Sequence, residues 1–127
     1  MASGNNSHKS LGFQRDISKL RKGTKERFAM MFKSMTESEA YKDLKPYSIK
    51  LYIAMLLWRK SYEETEIEYS YRLAENVLPK GTVQKAINDL IKHGFLEISR
   101  KGCFANRTAT IYKLSSKWKD WKKVKNG

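Results

Sequence analysis

Gln84 and Asn88 are four residues apart, in a stretch that also carries Lys80, Thr82 and Lys85. On a helix that spacing sets both carboxamides on one face, one turn apart. A carboxamide holds a donor and an acceptor side by side, which matches the N6/N7 edge of adenine. Lys80 and Lys85 suit phosphate oxygens or guanine. A second basic group follows in Arg100, Lys101, Asn106 and Arg107, fit for a flanking phosphate row or a minor groove. Residues of these types recognise a polyanion with readable edges. They do not make or break bonds.

Bond-making groups are scarce elsewhere too. Cys103 is the only cysteine, so no intrachain disulfide can form, and His8 and His93 lie far apart without metal-ligand spacing. The glycine patterns that cradle phosphates or dinucleotides and the HExxH metal motif do not occur. The expectation is no enzyme: no catalytic residue, no metal, no cofactor and no small-molecule substrate. His93 reads as a cation at a helix C-terminus, where the dipole favours it. Cys103 reads as an incidental thiol.

The elements that must position these groups follow from periodicity. Val83, Ile87, Leu90 and Ile91 fall at i, i+4, i+7 and i+8, which predicts a helix to His93 with one face inward. Thr82 suits its N-cap or first turn. The opposite face shows Thr82, Gln84, Lys85, Asn88, Asp89 and Lys92, and Gly94 suits the left-handed stop. FLEISR and ATIYKL alternate as strands around the basic turn KGCFANRT, which predicts a β-hairpin with a basic tip. Upstream, Pro79 and Gly81 form a breaker pair, and Ser70 caps a short helix over Tyr71 to Val77. EIEYS alternates as a short strand. PYSIKLYIAMLLWRK opens on Pro46 and is apolar nearly all round, which predicts a helix in the middle of the core. Phe28, Met31, Phe32 and Met35 predict an earlier helix from about Lys25, with one apolar stripe.

Charge is segregated along the chain. The net charge is +13, with +5 on residues 1–27, −1 on 28–79, +5 on 80–114 and +4 on 115–127. An excess gathered on the ends and on the hairpin region is the footprint of a polyanion binder; charge for solubility alone is the plainer reading. Aromatics at 12% and apolar residues at 40% predict a globular fold. No apolar run reaches the ~18 residues a membrane span needs, and one cysteine suits a cytoplasmic setting. The chain divides into a flexible basic leader or arm (1–24), a folded domain (25–121) and a basic tail (122–127).

Helix, helix, strand, helix, turn, helix, strand, turn, strand is the order of an α+β winged helix-turn-helix. It carries an extra N-terminal helix and a two- to three-stranded antiparallel wing sheet. The blocks YKDLKPYSIKLYIAML, GTVQKAINDLIKHGFLEI and TATIYKLSSKW resemble winged-helix proteins of Gram-positive plasmids, phages and integrated conjugative elements. In particular they resemble the N-terminal domain of plasmid replication initiators. The resemblance implies double-stranded DNA binding, commonly as dimers. It implies that Lys80, Thr82, Gln84, Lys85 and Asn88 face bases or phosphates, and that Arg100 to Thr108 forms the wing, Thr108 included. The expected role is an accessory replication, partition or transcriptional regulator of a mobile element, in a bacterial cytoplasm on nucleoid or plasmid. A homodimer is expected, through the Phe28 stripe and through Trp118 and Trp121, unless those residues cap the monomer's own core. The chain ends near residue 127 without room for an initiator's second domain, which disfavours initiation itself. A basic RNA- or ribosome-associated protein and a winged-helix protein-interaction module are the alternatives.

Overall fold

Lys45 is extended, at φ −71° and ψ 148°, and Pro46 opens a helix directly after it. A proline confines the preceding residue to extended backbone, and its missing N–H is harmless in a first turn. The computed structural model describes residue 23 and residues 26–103 and 108–124. Its elements run α1 (Lys33–Thr36), α2 (Glu39–Asp43), α3 (Pro46–Trp58), β1 (Glu66–Glu68), α4 (Tyr71–Glu75), α5 (Lys80–Lys92), β2 (Leu96–Arg100), β3 (Ile111–Leu114) and a closing 3-10 turn (Lys117–Lys119). The architecture is α+β.

Two helix faces and one sheet face enclose the core. α3 contributes Leu51, Tyr52, Met55 and Leu56, and α5 contributes Val83, Ala86, Ile87 and Leu90, all buried. Burying one such large aliphatic side chain is worth about 1.5–3 kcal/mol. The sheet is antiparallel in the order β1-β3-β2, so β3 lies central and β1 forms an edge. Ile67 on β1 stands opposite Tyr112 on β3, and Leu96 on β2 opposite Leu114. Phe95, fully buried, joins the layers: Tyr52 and Tyr41 meet it edge-on at 5.5 and 6.4 Å, and Trp118 stacks on it at 6.0 Å. Burial pushes the phenols of Tyr52 and Tyr112 up to about 12, so both stay neutral.

Three expectations are corrected here. Residues 27–32 form no helix, and the expected N-terminal helix is reduced to the short α1 and α2. Phe32 is the extended N-cap of α1 and supplies no capping hydrogen bond. Tertiary contacts hold the strap instead. Arg27 Nη1 donates to the Trp58 carbonyl at 3.2 Å and its guanidinium lies 6.0 Å from the Trp58 ring, while Phe28 meets Tyr62 at 6.4 Å. Such contacts override a weak helical preference. Helix α3 lies along the core and not in its middle, since Leu57 and Trp58 stay 38% and 45% exposed. Met35 and Trp118 are buried and Trp121 half-buried, so these three cap the monomer's own core.

One polar node sets the angle of α5. His93, the C-cap of α5, is buried, yet both ring nitrogens face oxygen acceptors. Nε2 meets Asp43 Oδ2 at 2.8 Å, and Nδ1 meets the Asp89 carbonyl at 2.7 Å with Asp89 Oδ1 at 3.2 Å. Asp89 also accepts from Lys45 N–H at 2.9 Å and Ser48 Oγ at 2.7 Å. A carboxylate from α5 thus caps the N-terminus of α3, where the dipole favours an anion. This corrects Asp89, which the periodicity placed on the exposed face.

Gly94 then ends the helix at φ +82°, and a Cβ there would lie 2.6 Å from Trp118 N. Replacing Gly94 with alanine combines left-handed strain of about 1–2 kcal/mol with that backbone clash. Denaturant unfolding of Gly94→Ala is expected to show a loss larger than the strain alone; an unchanged midpoint counts against this corner. The His93 hydrogen bond, with help from Lys123, holds the Asp43 carboxyl below the ordinary carboxylate range. A depressed folded-state value contributes stability above the unfolded pKa of roughly 3.9, and the contribution fades as pH falls through the folded value. Asp43→Asn is therefore expected to be less stable than wild type at pH 7, with the gap narrowing below about pH 4. Urea midpoints at pH 7 and pH 3 check this, and a gap that ignores pH refutes it.

Candidate nucleic-acid interface

Helix α5 begins at Lys80, with Pro79 as an extended N-cap that supplies no side-chain cap. Thr82 is therefore the third residue of the first turn and not the cap, and Gly81 lies inside the helix and not in a turn before it. Proline before a first turn already fixes the entry, and the first-turn N–H groups have no partner within the helix in any case. Lys80, Gln84, Lys85, Asn88 and Lys92 are exposed, and Thr82 is half-buried. Gln84 Nε2 donates to Asn88 Oδ1 at 2.8 Å. The pair keeps the Gln84 carbonyl and the Asn88 amide nitrogen for outside partners.

The hairpin lies beside this face. Ile98 pairs with Tyr112 and Arg100 with Ile111, so Ser99 is an extra residue that bulges β2. A bulge re-aims the side chains after it, and Arg100 and Lys101 emerge exposed. Past them the two arms approach closely: a Cβ on Gly102 would lie 2.6 Å from the Thr108 carbonyl. Gly102 N–H donates to Thr110 Oγ1 and Cys103 N–H to Thr108 Oγ1, both at 2.9 Å, which closes the neck of the turn. Asn106 and Arg107 lie outside the described residues.

Between α5 and the hairpin runs a groove of about 550 Å³. Gln84 and Asn88 line it from the helix, and Lys101 and Thr108 from the turn. Four of the residues singled out in the sequence thus share one concavity, while Lys80, Thr82, Lys85 and Arg100 lie outside its lining. Sequence reasoning missed its apolar floor, which includes Tyr71, Ile98 and Tyr112. The alternation in FLEISR puts Ile98 on the inward face, but that face outruns the core, leaving Ile98 50% exposed.

Cations divide into two groups. In the C-terminal stretch Lys117 pairs with Glu97 at 2.6 Å, Lys122 with Glu39 at 3.7 Å and Lys123 with Asp43 at 3.5 Å. Lys117 holds the Glu97 carboxyl below its ordinary range. Among the described residues, Lys80, Lys85, Lys92, Arg100 and Lys101 make no ion pair. Lys42, Lys45, Lys50, Lys60 and Arg72 make none either, but they lie in a segment that sums to −1, whereas residues 80–114 sum to +5.

Among the described residues no three His, Cys, Asp or Glu side chains converge to hold a metal ion, and no helix is long and apolar enough to cross a membrane. No protein-family model, curated protein or solved structure matches this chain.

Proposed function

We propose that this chain is a sequence-specific double-stranded DNA-binding protein of the winged helix-turn-helix type. In this reading α4 and α5 are the helix pair, joined by residues 76–79, and β2 and β3 carry the wing. The observation that carries it is that the exposed amide pair Gln84 and Asn88 shares one groove with the unpaired cation of Lys101. Helix α5 spans 13 residues, roughly 20 Å, and the major groove is about 12 Å wide, so it accepts one such helix. Gln84 and Asn88 read base edges, Lys80 and Lys85 meet phosphate or guanine, and Thr82 supports the first turn. Arg100, Lys101, Asn106, Arg107 and Thr108 reach the flanking backbone or minor groove. With the resemblance to plasmid initiator domains, the role is an accessory replication, partition or transcriptional regulator of a mobile element.

A single helix and wing read few base pairs, so two copies on neighbouring half-sites complete the reading. Phe28, Met30, Phe32, Leu57, Trp58 and Tyr62 all remain exposed. They fall in the one segment that is close to neutral, where a second copy of a +13 chain meets least repulsion. We place the homodimer contact there.

Preferred duplexes are to be selected from a random pool, then titrated against a random duplex across a salt series. Binding is expected to weaken steeply with salt, and Lys101→Ala to lower the logarithmic slope by about one. The double variant Gln84→Ala with Asn88→Ala is expected to lose roughly 1–3 kcal/mol of discrimination while keeping non-specific affinity. A flat salt response removes DNA from the reading; equal losses on both duplexes remove base recognition by α5. For assembly, light scattering with a two-site duplex is expected to give two copies bound, and Phe32→Ser with Trp58→Ser to return one. Unchanged stoichiometry in that variant sinks the homodimer contact at these exposed residues.

A further inference from the structure

The floor of the groove between α5 and the hairpin holds two apolar side chains, Tyr71 and Ile98, that core packing leaves uncovered. Tyr71 is 47% exposed and Ile98 50% exposed, and both line it with Ile87, Ile91 and Tyr112. A lone exposed isoleucine means little on any surface. Here it is part of a concave apolar face with a polar rim, the composition of a ligand site. The rim holds the free Gln84 carbonyl and Asn88 amide on one side and the unpaired Lys101 cation on the other.

A fully paired duplex offers this floor no ring face. Its bases are stacked inward, and apart from thymine methyls it presents phosphates and polar groove edges, which reward charges and amides. An unpaired base differs: it carries a π-face for an aromatic ring, and its backbone carries phosphate for an adjoining cation. A volume of about 550 Å³ accommodates a ligand of nucleotide size. We infer that the groove holds one unpaired base, stacked on Tyr71 against Ile98, with Lys101 on its phosphate. The protein then engages a locally opened duplex more tightly than a closed one. This inference rests on the DNA-binding reading above.

The test uses the full chain and three labelled probes at one salt concentration. They are the preferred duplex, the same duplex with a short internal mismatch bubble, and that bubble with abasic sites in place of its bases. The bubble is expected to bind about tenfold tighter than the duplex, since one stacked base is worth roughly 5- to 150-fold. The abasic bubble keeps the charge and flexibility and is expected to lose the gain. Tyr71→Ala and Ile98→Ser are expected to bring the bubble-to-duplex ratio toward one, and Tyr71→Phe to retain it. Equal binding of duplex and bubble overturns the inference and leaves the DNA-binding reading standing. A gain that survives abasic substitution also overturns it, because flexibility and not a base then explains the preference. Failure to bind any of the three probes overturns both readings.

Discussion

The orientation of α5 hangs on the imidazole of His93. A buried ring needs a partner at each nitrogen, and it finds them in Asp43 and Asp89. Asp89 is itself bound to the start of α3 through Lys45 and Ser48. Three helices are therefore tied at one point, within a turn of where α5 ends. Trp121 covers the node, its ring centroid 4.6 Å from that of His93. Removing one member leaves the polar atoms of the others without a partner. The apolar stripe of α5 decides which of its residues face water, and the node fixes how its C-terminal end meets α2 and α3.

Gly94 and Phe95 convert the node into a corner. The positive φ of Gly94 reverses the chain, and its carbonyl receives Trp118 N–H at 3.1 Å. Phe95 then fills the space that the turn encloses. The C-terminal stretch thereby becomes part of the core's lid, and its lysines fall beside Glu39, Asp43 and Glu97. Exposed ion pairs of this kind stabilise weakly. Their larger effect is on the field, because they cancel part of the positive charge of the C-terminal stretch in place.

The proposed DNA surface is built from two elements of different stiffness. Helix α5 is locked by its buried face and its polar node. The hairpin is held at its neck, where Gly102 and Thr108 approach too closely for a side chain, and it twists at the Ser99 bulge. Amides for edges stand on the locked element, and the cations for phosphate are shared with the hairpin. That division suits recognition, since base contacts require fixed geometry and phosphate contacts tolerate adjustment.

Local rules were enough for much of this. Proline at 46, Ser70 as a cap, glycine at 94 and the two alternating strands were each legible, because a backbone preference or a short period acts within a few residues. The inward stripe of α5 and the outward Gln84, Lys85 and Asn88 were legible for the same reason. Tertiary structure decided the rest. The Phe28 stripe has helical spacing, yet Arg27 and Phe28 find partners on Trp58 and Tyr62, and the non-helical strap wins. Asp89 looked like a surface group because its partner Lys45 is 44 residues away, and the Asp43 partner of His93 was hidden by a separation of 50. Ile98 looked internal because alternation gives a face but not where the core beneath that face ends. Periodicity assigns directions to side chains; only the meeting of distant segments determines what stands in those directions.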